Sequence, residues 1–253
     1  MAITALVPTY NCQSTIRECL ESVSWVDEIL IVDSFSTDGT LDICREYTDR
    51  IVQHEYIDSA KQKNWALHLV KSDWVLQIDA DETIETDLRP EILERMAEKE
   101  NVDGYRIRRK NFIWGRWCTS CNLYPDWQLR FFRTAQGRWS DREVHAHVEG
   151  LNVVKQLRGH LLHRDLDSIQ AELTQFSTQF MNWEVNELRK RGRRWRWLDV
   201  TARPLAIFLV YYFCYGGYRE GFRGFFLSLW RAFYSVMTYA RLYEYELKQG
   251  LRE

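Results

Sequence analysis

Three short apolar runs in the first 80 residues constrain the fold more than any other feature. They lie at 3–7, 28–32 and 74–78, are rich in Val, Ile and Leu, and two of them stop abruptly at an Asp. Runs this short and this β-branched read as strands buried on both faces. A weaker run at 50–54 reads as a further strand. Between them lie helical patterns: Ile16, Cys19, Leu20 and Val23, then Leu41, Ile43 and Cys44, then Trp65, Ala66 and Leu69. Ser14 and Ser59 are the expected N-caps of the first and third. Strands alternating with helices across short loops argue βαβ units and a parallel sheet covered on both faces.

The strand ends carry the chemistry. The run at 74–78 leads into Asp79-Ala80-Asp81-Glu82. Asp79 and Asp81 are two apart, so an extended chain turns both to one face. Carboxylate oxygens suit Mn²⁺ or Mg²⁺, ions that commonly bridge to phosphates. The run at 28–32 leads into Asp33 and the polar loop Ser34-Phe35-Ser36-Thr37-Asp38-Gly39-Thr40. Taken alone, an acidic triplet reads equally well as a solvated loop. In one parallel sheet, however, both ends fall on the edge where open α/β sheets bind ligands.

Beyond residue 87 the pattern changes. Asp87 and Pro90 open a helix through Leu93 and Met96. Tyr105-Arg106-Ile107-Arg108 and Gln128-Leu129-Arg130-Phe131 alternate, as strands with one wet face do. Residues 151–157 and 159–163 read as two further short strands. From 167 to about 188, Leu173, Phe176, Phe180 and Trp183 keep helical spacing, which is ordinary core packing. A basic run at 189–197 interleaves Trp195 and Trp197, and 204–218 holds no charge. Gly216-Gly217 then precedes an aromatic helix from about 222 to 246.

Charge is distributed unevenly. Residues 189–253 hold 13 Lys/Arg against 5 Asp/Glu, and the preceding residues hold 21 against 31, although the whole chain is only −2. A basic C-terminal segment on an acidic body points to an anionic partner there, nucleic acid or a membrane leaflet. The six cysteines are scattered, as expected of reduced thiols in the cytoplasm. Cys118 and Cys121, with His145 and His147, match no familiar zinc spacing. No signal peptide is expected before the first strand, and no uncharged run reaches the roughly 20 residues of a spanning helix.

The motifs Val7-Pro8-Thr9-Tyr10-Asn11, Glu28-Ile29-Leu30-Ile31-Val32-Asp33-Ser34 with Asp38-Gly39-Thr40, and Leu76-Gln77-Ile78-Asp79-Ala80-Asp81-Glu82 together resemble a family 2 glycosyltransferase. The later Arg130-Phe131-Phe132-Arg133 and Val144-His145 stretches resemble its bacterial branch that builds lipopolysaccharide core and related surface glycans. Ala146 stands where that branch often has Glu. The resemblance implies a GT-A nucleotide-diphosphosugar fold, a mostly parallel sheet flanked by helices, a divalent metal and inversion at the sugar carbon. It implies that Pro8, Thr9 and Asn11 line the nucleotide cleft, that Asp33 meets uracil, Asp79 the ribose and Asp81 the metal. A UDP-hexose donor and a glycan or lipid-linked acceptor follow from the family. The implied division is 1–165 catalytic, with 1–100 binding donor and 101–165 acceptor, and 166–253 a helical, membrane-facing extension.

An inverting displacement needs a base for the acceptor hydroxyl. Asp141, Glu143 and His145 are the dense cluster from which to choose, and Glu143 is preferred because a carboxylate suits the family. Each has a structural alternative in a turn, an ion pair or a satisfied histidine. Lys61, Lys63, Arg130 and Arg133 are candidate phosphate partners. Residues 189–246 are expected to dock on the inner face of the cytoplasmic membrane, with Trp195, Trp197, Tyr211 and Tyr212 at headgroup level. The alternative for these helices is packing on the catalytic domain, or a homodimer interface. A sugar nucleotidyltransferase is the competing enzyme, but 7–11 lacks its glycines. A basic-aromatic nucleic-acid binder at 189–197 has no need of Asp79 and Asp81, so no nucleic-acid partner is expected.

Overall fold

The computed structural model describes residues 1–98, 101–141, 146–177 and 181–251. They form two compact units: Met1–Asn111 with Pro125–Asp165, and Phe112–Tyr124 with Leu166–Glu253. The stretch 112–124, expected with the acceptor half, thus clusters with the C-terminal helices.

In the first unit, β1 (Ile3–Thr9), β2 (Glu28–Asp33), β3 (Ile51–Gln53) and β4 (Trp74–Gln77) alternate with α1 (Ile16–Val23), α2 (Thr40–Cys44) and α3 (Ser59–Leu67). The four strands run parallel in the order β3-β2-β1-β4. The side chains of β1, β2 and β4 are nearly all buried, as strands covered on both faces require, while those of the edge strand β3 are only partly so. The stripe Ile16, Cys19, Leu20 and Val23 packs α1 on one side of this sheet. Burying each such side chain contributes about 1.5–3 kcal/mol. Two caps differ from expectation. Thr15, not Ser14, precedes α1, and α3 starts at Asp58, whose Oδ1 accepts from the Lys61 amide at 2.8 Å. The acid wins because an ionised oxygen accepts more strongly than a hydroxyl.

Beyond β4 the sheet turns antiparallel, so it is parallel only in its donor half. β5 (Glu82–Ile84), α4 (Leu88–Ala97), β6 (Gly104–Ile113), β8 (Asp126–Arg133) and β11 (Val154–Leu166) extend it in the order β4-β8-β6-β11-β5. β8 is antiparallel to both β4 and β6, and β5 to β11. No helix connects β6 to β8, and a parallel pair would need such a crossover. The two strands expected at 151–157 and 159–163 are one strand, β11. It passes α4 closely at Gly159, where a Cβ would lie 2.8 Å from the Leu88 Cα.

Pro8 marks where the parallel half opens. Thr9 O and Leu6 O accept from the neighbours on opposite sides, Ser34 N and Ile78 N, so Pro8 points its nitrogen towards β4. The β1–β4 ladder has already ended at Leu6 and Gln77, so no bond is lost there. Strand order reverses at this same β1/β4 edge, the switch point at which open sheets take ligands.

β9 (Arg138–Trp139) and β10 (Val148–Glu149) form a separate antiparallel pair. Asn64 on α3 clamps it: Nδ2 donates to the Trp139 carbonyl, and Oδ1 accepts from the Trp139 amide, both at 2.8 Å.

The second unit pairs β7 (Arg116–Trp117) with the end of β6. Its helices are α5 (Ile169–Gln175), α6 (Met181–Lys190), α7 (Ala202–Leu209) and α8 (Phe222–Lys248), with α7 running on into a π-helical turn at Val210–Cys214. Phe180 of the expected 167–188 stripe lies outside the described residues. One core gathers Ile113, Cys118, Cys121, Leu166 and Leu227, and another Val185, Trp195, Tyr239 and Leu242. Trp195, expected at a headgroup level, is therefore buried, and its amide donates to Glu246 at 2.9 Å. A Cβ on Gly224 would fall 1.8 Å from the Gly217 carbonyl oxygen, so only glycine lets α8 start this close to the preceding turn. All six cysteines are free thiols.

Candidate active site

The loop after β2 is stitched to the loop after β1. Asp33 is fully buried. Its Oδ1 accepts from Ser36 Oγ at 2.5 Å and Thr9 Oγ1 at 3.3 Å. Its Oδ2 accepts from the Ser36 amide and Gln53 Nε2, each at 3.0 Å. Asn11 completes the stitching: its Oδ1 accepts from the Thr37 amide at 2.8 Å, and its amide donates to Ser36 Oγ at 2.9 Å. Asn11 and Phe35 hold φ of 48° and 62°. For a phenylalanine the left-handed region is strained, and such strain collects at ligand-binding loops. Phe35 and Tyr10 both stand exposed beside this loop.

Across the β1/β4 edge, Asp79 is held from two sides. Lys63 Nζ on α3 lies 3.0 Å from Oδ1, and Arg130 Nη2 on β8 lies 2.5 Å from Oδ2. Gln77 Nε2 donates to Oδ1 at 2.8 Å. Burial alone would raise the Asp79 carboxyl. The charges of Arg130 and Lys63 outweigh it and hold the group well below the usual carboxylate range. Burial pulls the Lys63 ammonium down, against the attraction of Asp79. Lys61 instead pairs with Asp58 at 2.9 Å and stays half-exposed. Lys63, two residues on, is the one that faces the site.

Glu82 closes the triplet inward and is fully buried. Arg130 Nη2 reaches its Oε1 at 2.7 Å and Arg109 Nη1 at 3.0 Å, while Oε2 accepts from the Asp79 amide at 3.0 Å. Arg130, expected as a phosphate partner, is thus engaged by Gln77, Asp79 and Glu82. Arg133 lies over the Trp74 ring, 4.6 Å from its centroid, and donates to the Val102 carbonyl.

Asp81 differs from both neighbours. Its carboxylate is about half exposed, with Oδ2 3.6 Å from His163 Nε2. Its Oδ1 is buried yet has no hydrogen-bond partner. An orphaned buried carboxylate oxygen is costly unless something completes it. Burial lowers the His163 imidazole, but the nearby Asp81 carboxylate outweighs this and raises it. The sequence offered no local sign of His163. Only the pairing of β11 with β5, which sets His163 opposite Glu82, brings it here.

Glu85, Asp87 and His160 also lie close enough to share an ion. Lys110 Nζ, however, sits 2.8 and 2.9 Å from the two Glu85 oxygens and already supplies the positive charge.

Of the three base candidates, Asp141 is exposed and lies two residues beyond the end of β9. Glu143 and His145 lie outside the described residues. The His147 carbonyl accepts from the Ser140 amide at 2.9 Å, next to the β9–β10 pair. Cys118 and Cys121 belong to the second unit and His147 to the first.

The switch point of the α/β sheet thus carries a stitched loop on one side and carboxylates on the other, at the place where such sheets bind ligands. The chain belongs to glycosyl transferase family 2, whose model matches residues 4–156. It is 30% identical to the lipopolysaccharide core biosynthesis glycosyltransferase LpsC of Rhizobium meliloti, over 96% of this chain and 93% of that protein. An uncharacterised glycosyltransferase of Rickettsia typhi is 26% identical over 97% and 88%. The fold is similar to Staphylococcus aureus TarS 1–349, with a TM-score of 0.51, 18% identity, and coverage of 99% and 92%. The molecule is thus a glycosyltransferase of GT-A fold with a helical C-terminal extension.

Proposed function

We propose that the enzyme moves a hexose from a UDP-sugar to a hydroxyl of a surface-glycan or lipid-linked acceptor, with inversion and with a divalent cation. The observation that carries this reading is the contrast within the acidic triplet. Asp79 and Glu82 are saturated by cations of the protein, whereas Asp81 keeps a buried oxygen unpartnered beside His163. A carboxylate oxygen with an imidazole nitrogen suits Mn²⁺ or Mg²⁺. When bound, such an ion supplies Lewis-acid stabilisation to the departing diphosphate.

The other roles belong to the chain. The loop held by Asp33, with Pro8, Thr9 and Asn11 around it, shapes the floor for the base, and exposed Tyr10 and Phe35 offer aromatic faces to it. Asp79 faces the ribose, kept ionised by Arg130 and Lys63. Lys63 sits where its charge also reaches the donor phosphates. The proton of the acceptor hydroxyl passes to a base within Asp141, Glu143 and His145, which lie in the chain between β9 and β10. Asn64 supports this assignment, since the same helix that presents Lys63 to the donor side also pins β9 at Trp139.

Similarity to LpsC supports a lipopolysaccharide-core type of acceptor, and the basic, apolar second unit supports peripheral contact with an anionic cytoplasmic membrane. Asp81→Ala is expected to lower transfer by at least about 10²-fold, since cation stabilisation contributes several kcal/mol. It should also abolish the Mn²⁺ dependence of UDP binding while the melting temperature holds. Full activity in that variant or in excess chelator would sink the reading.

A further inference from the structure

We infer that Asn111 is a positioning residue for cation binding: it decides which nitrogen of His163 carries the hydrogen, and so leaves the one facing Asp81 free to bind. The inference rests on the reading of Asp81 and His163 as the cation-binding pair, and it adds a residue that touches neither donor nor cation.

Asn111 is buried at the end of β6. Its Nδ2 donates to Asp126 Oδ2 at 3.2 Å, and its Oδ1 lies 2.8 Å from His163 Nδ1. An ionised carboxylate only accepts, so the amide must turn its nitrogen to Asp126. Asp126 cannot swing away, because Arg109 Nε holds Oδ2 at 2.8 Å and Gln128 Nε2 holds Oδ1 at 2.6 Å. The carbonyl end of Asn111 therefore faces His163 and can only accept. Nδ1 must carry the hydrogen, and a neutral imidazole carries only one. Nε2 then presents its lone pair towards Asp81 Oδ2, 3.6 Å away.

A lone pair facing a carboxylate oxygen, with the second oxygen buried and unpartnered, is an arrangement that a cation completes. Without Asn111 the ring can carry its hydrogen on Nε2 instead. It would then donate to Asp81 and withdraw one ligand atom. Partners of this outer kind typically change metal affinity by about 10–100-fold. The chain Arg109–Asp126–Asn111–His163 runs from β6 and β8 to β11, so the antiparallel half of the sheet sets the cation chemistry at the edge of the parallel half.

The test is Mn²⁺ titration of the full chain with UDP present, by calorimetry and by the electron paramagnetic resonance of free Mn²⁺. Asn111→Leu is expected to bind Mn²⁺ about 10–100-fold more weakly, with metal-free UDP affinity unchanged. Asn111→Asp keeps an acceptor for Nδ1–H and is expected to bind more tightly than the Leu variant. In the unsubstituted, metal-free protein at alkaline pH, nitrogen-detected NMR of His163 should show the Nδ1–H tautomer. That measurement needs no variant to fold. An Nε2–H tautomer, or wild-type Mn²⁺ affinity in Asn111→Leu while Asp81→Ala loses it, overturns the role of Asn111. Wild-type affinity in Asp81→Ala as well would show that the cation-site reading itself has failed.

Discussion

The two units break the usual rule of apolar inside and charged outside in opposite directions. The first buries charge: Glu82 and Asp33 are wholly enclosed, with Arg130 against Glu82, and Lys63 and Asp103 are nearly as deep. The second exposes apolar bulk: Trp197 and Phe222 are more than 70% accessible, and Leu198, Leu205 and Phe213 are more than half so. Each departure costs stability, so each marks a place where something besides folding has shaped the sequence. Buried, fully paired charge fixes geometry at a reacting centre. Exposed aromatic and aliphatic surface beside arginine suits contact with something outside the chain.

The largest effect should follow from breaking the buried charge. Arg130→Ala leaves Glu82 and Asp79 without their main partner. Removing one member of such a buried pair costs about 3–5 kcal/mol, or about 10 °C in melting temperature for a chain of this size. Replacing the pair together, Arg130→Met with Glu82→Leu, should recover much of that stability and still lower transfer, because Asp79 is then held from one side only, at Oδ1 by Lys63 and Gln77. Thermal unfolding and a transfer assay on both variants separate the two roles. Equal melting temperatures for Arg130→Ala and the unsubstituted chain would show that the network carries no load.

What the sequence made legible follows range. The parallel strands, the first helices and the acidic triplet declare themselves within a few residues and appear in the structure with boundaries moved by a residue or two, whereas β6 runs on to Ile113 and β11 merges two expected strands. The partners of the triplet do not. Lys63 reaches Asp79 because α3 is set by its Asp58 cap, and His163 reaches Asp81 because β11 pairs with β5. Neither register is written locally. Asp33 stands out in the sequence at its strand end, but its place as the organiser of the loop does not, since its four donors come from three separate segments. Trp195 and Trp197 look equivalent in sequence, yet only tertiary packing against Tyr239 and Leu242 buries the first.

A middle-sized effect tests whether buried charge matters away from the reacting edge. Asp103 Oδ2 accepts from the amides of Asn152 and Val153, both at 2.8 Å, tying the start of β6 to the segment before β11. These bonds lower its carboxyl below the ordinary value. A group depressed in the folded state contributes stability that is full above its unfolded value, about 3.9. That contribution is lost as pH falls through the folded value. Melting temperature should therefore decline below about pH 4 in part through Asp103, and less so in Asp103→Ala. The variant should already be less stable at neutral pH, by about 1–3 kcal/mol. A pH profile of melting that is identical in the two chains refutes this account.

The smallest effect on stability should come from the second unit, and it is the one that tests what its surface is for. Residues 197–214 have a mean hydropathy of 1.2, and only 11% of that stretch is buried within the protein. Trp197 and Leu198 stand out from it between exposed Arg194 and Arg196 on one side and the apolar face of α7 on the other. If this surface meets the anionic cytoplasmic leaflet, Trp197→Ser and Phe213→Ser should leave folding within about 0.5 kcal/mol, as surface changes do. They should nevertheless weaken partition onto vesicles containing anionic lipid. Arg194→Ala and Arg196→Ala should each cost about 1 kcal/mol of binding, close to fivefold, and that loss should fade as salt shortens the reach of the charge. Neutral vesicles should bind weakly and show no dependence on these arginines. The comparison between the units turns on this result. Full vesicle binding in Trp197→Ser, or indifference of the intact chain to anionic vesicles at low salt, would mean that the exposed aromatics serve a protein contact instead. Sedimentation of the same variants would then be expected to show a change in self-association.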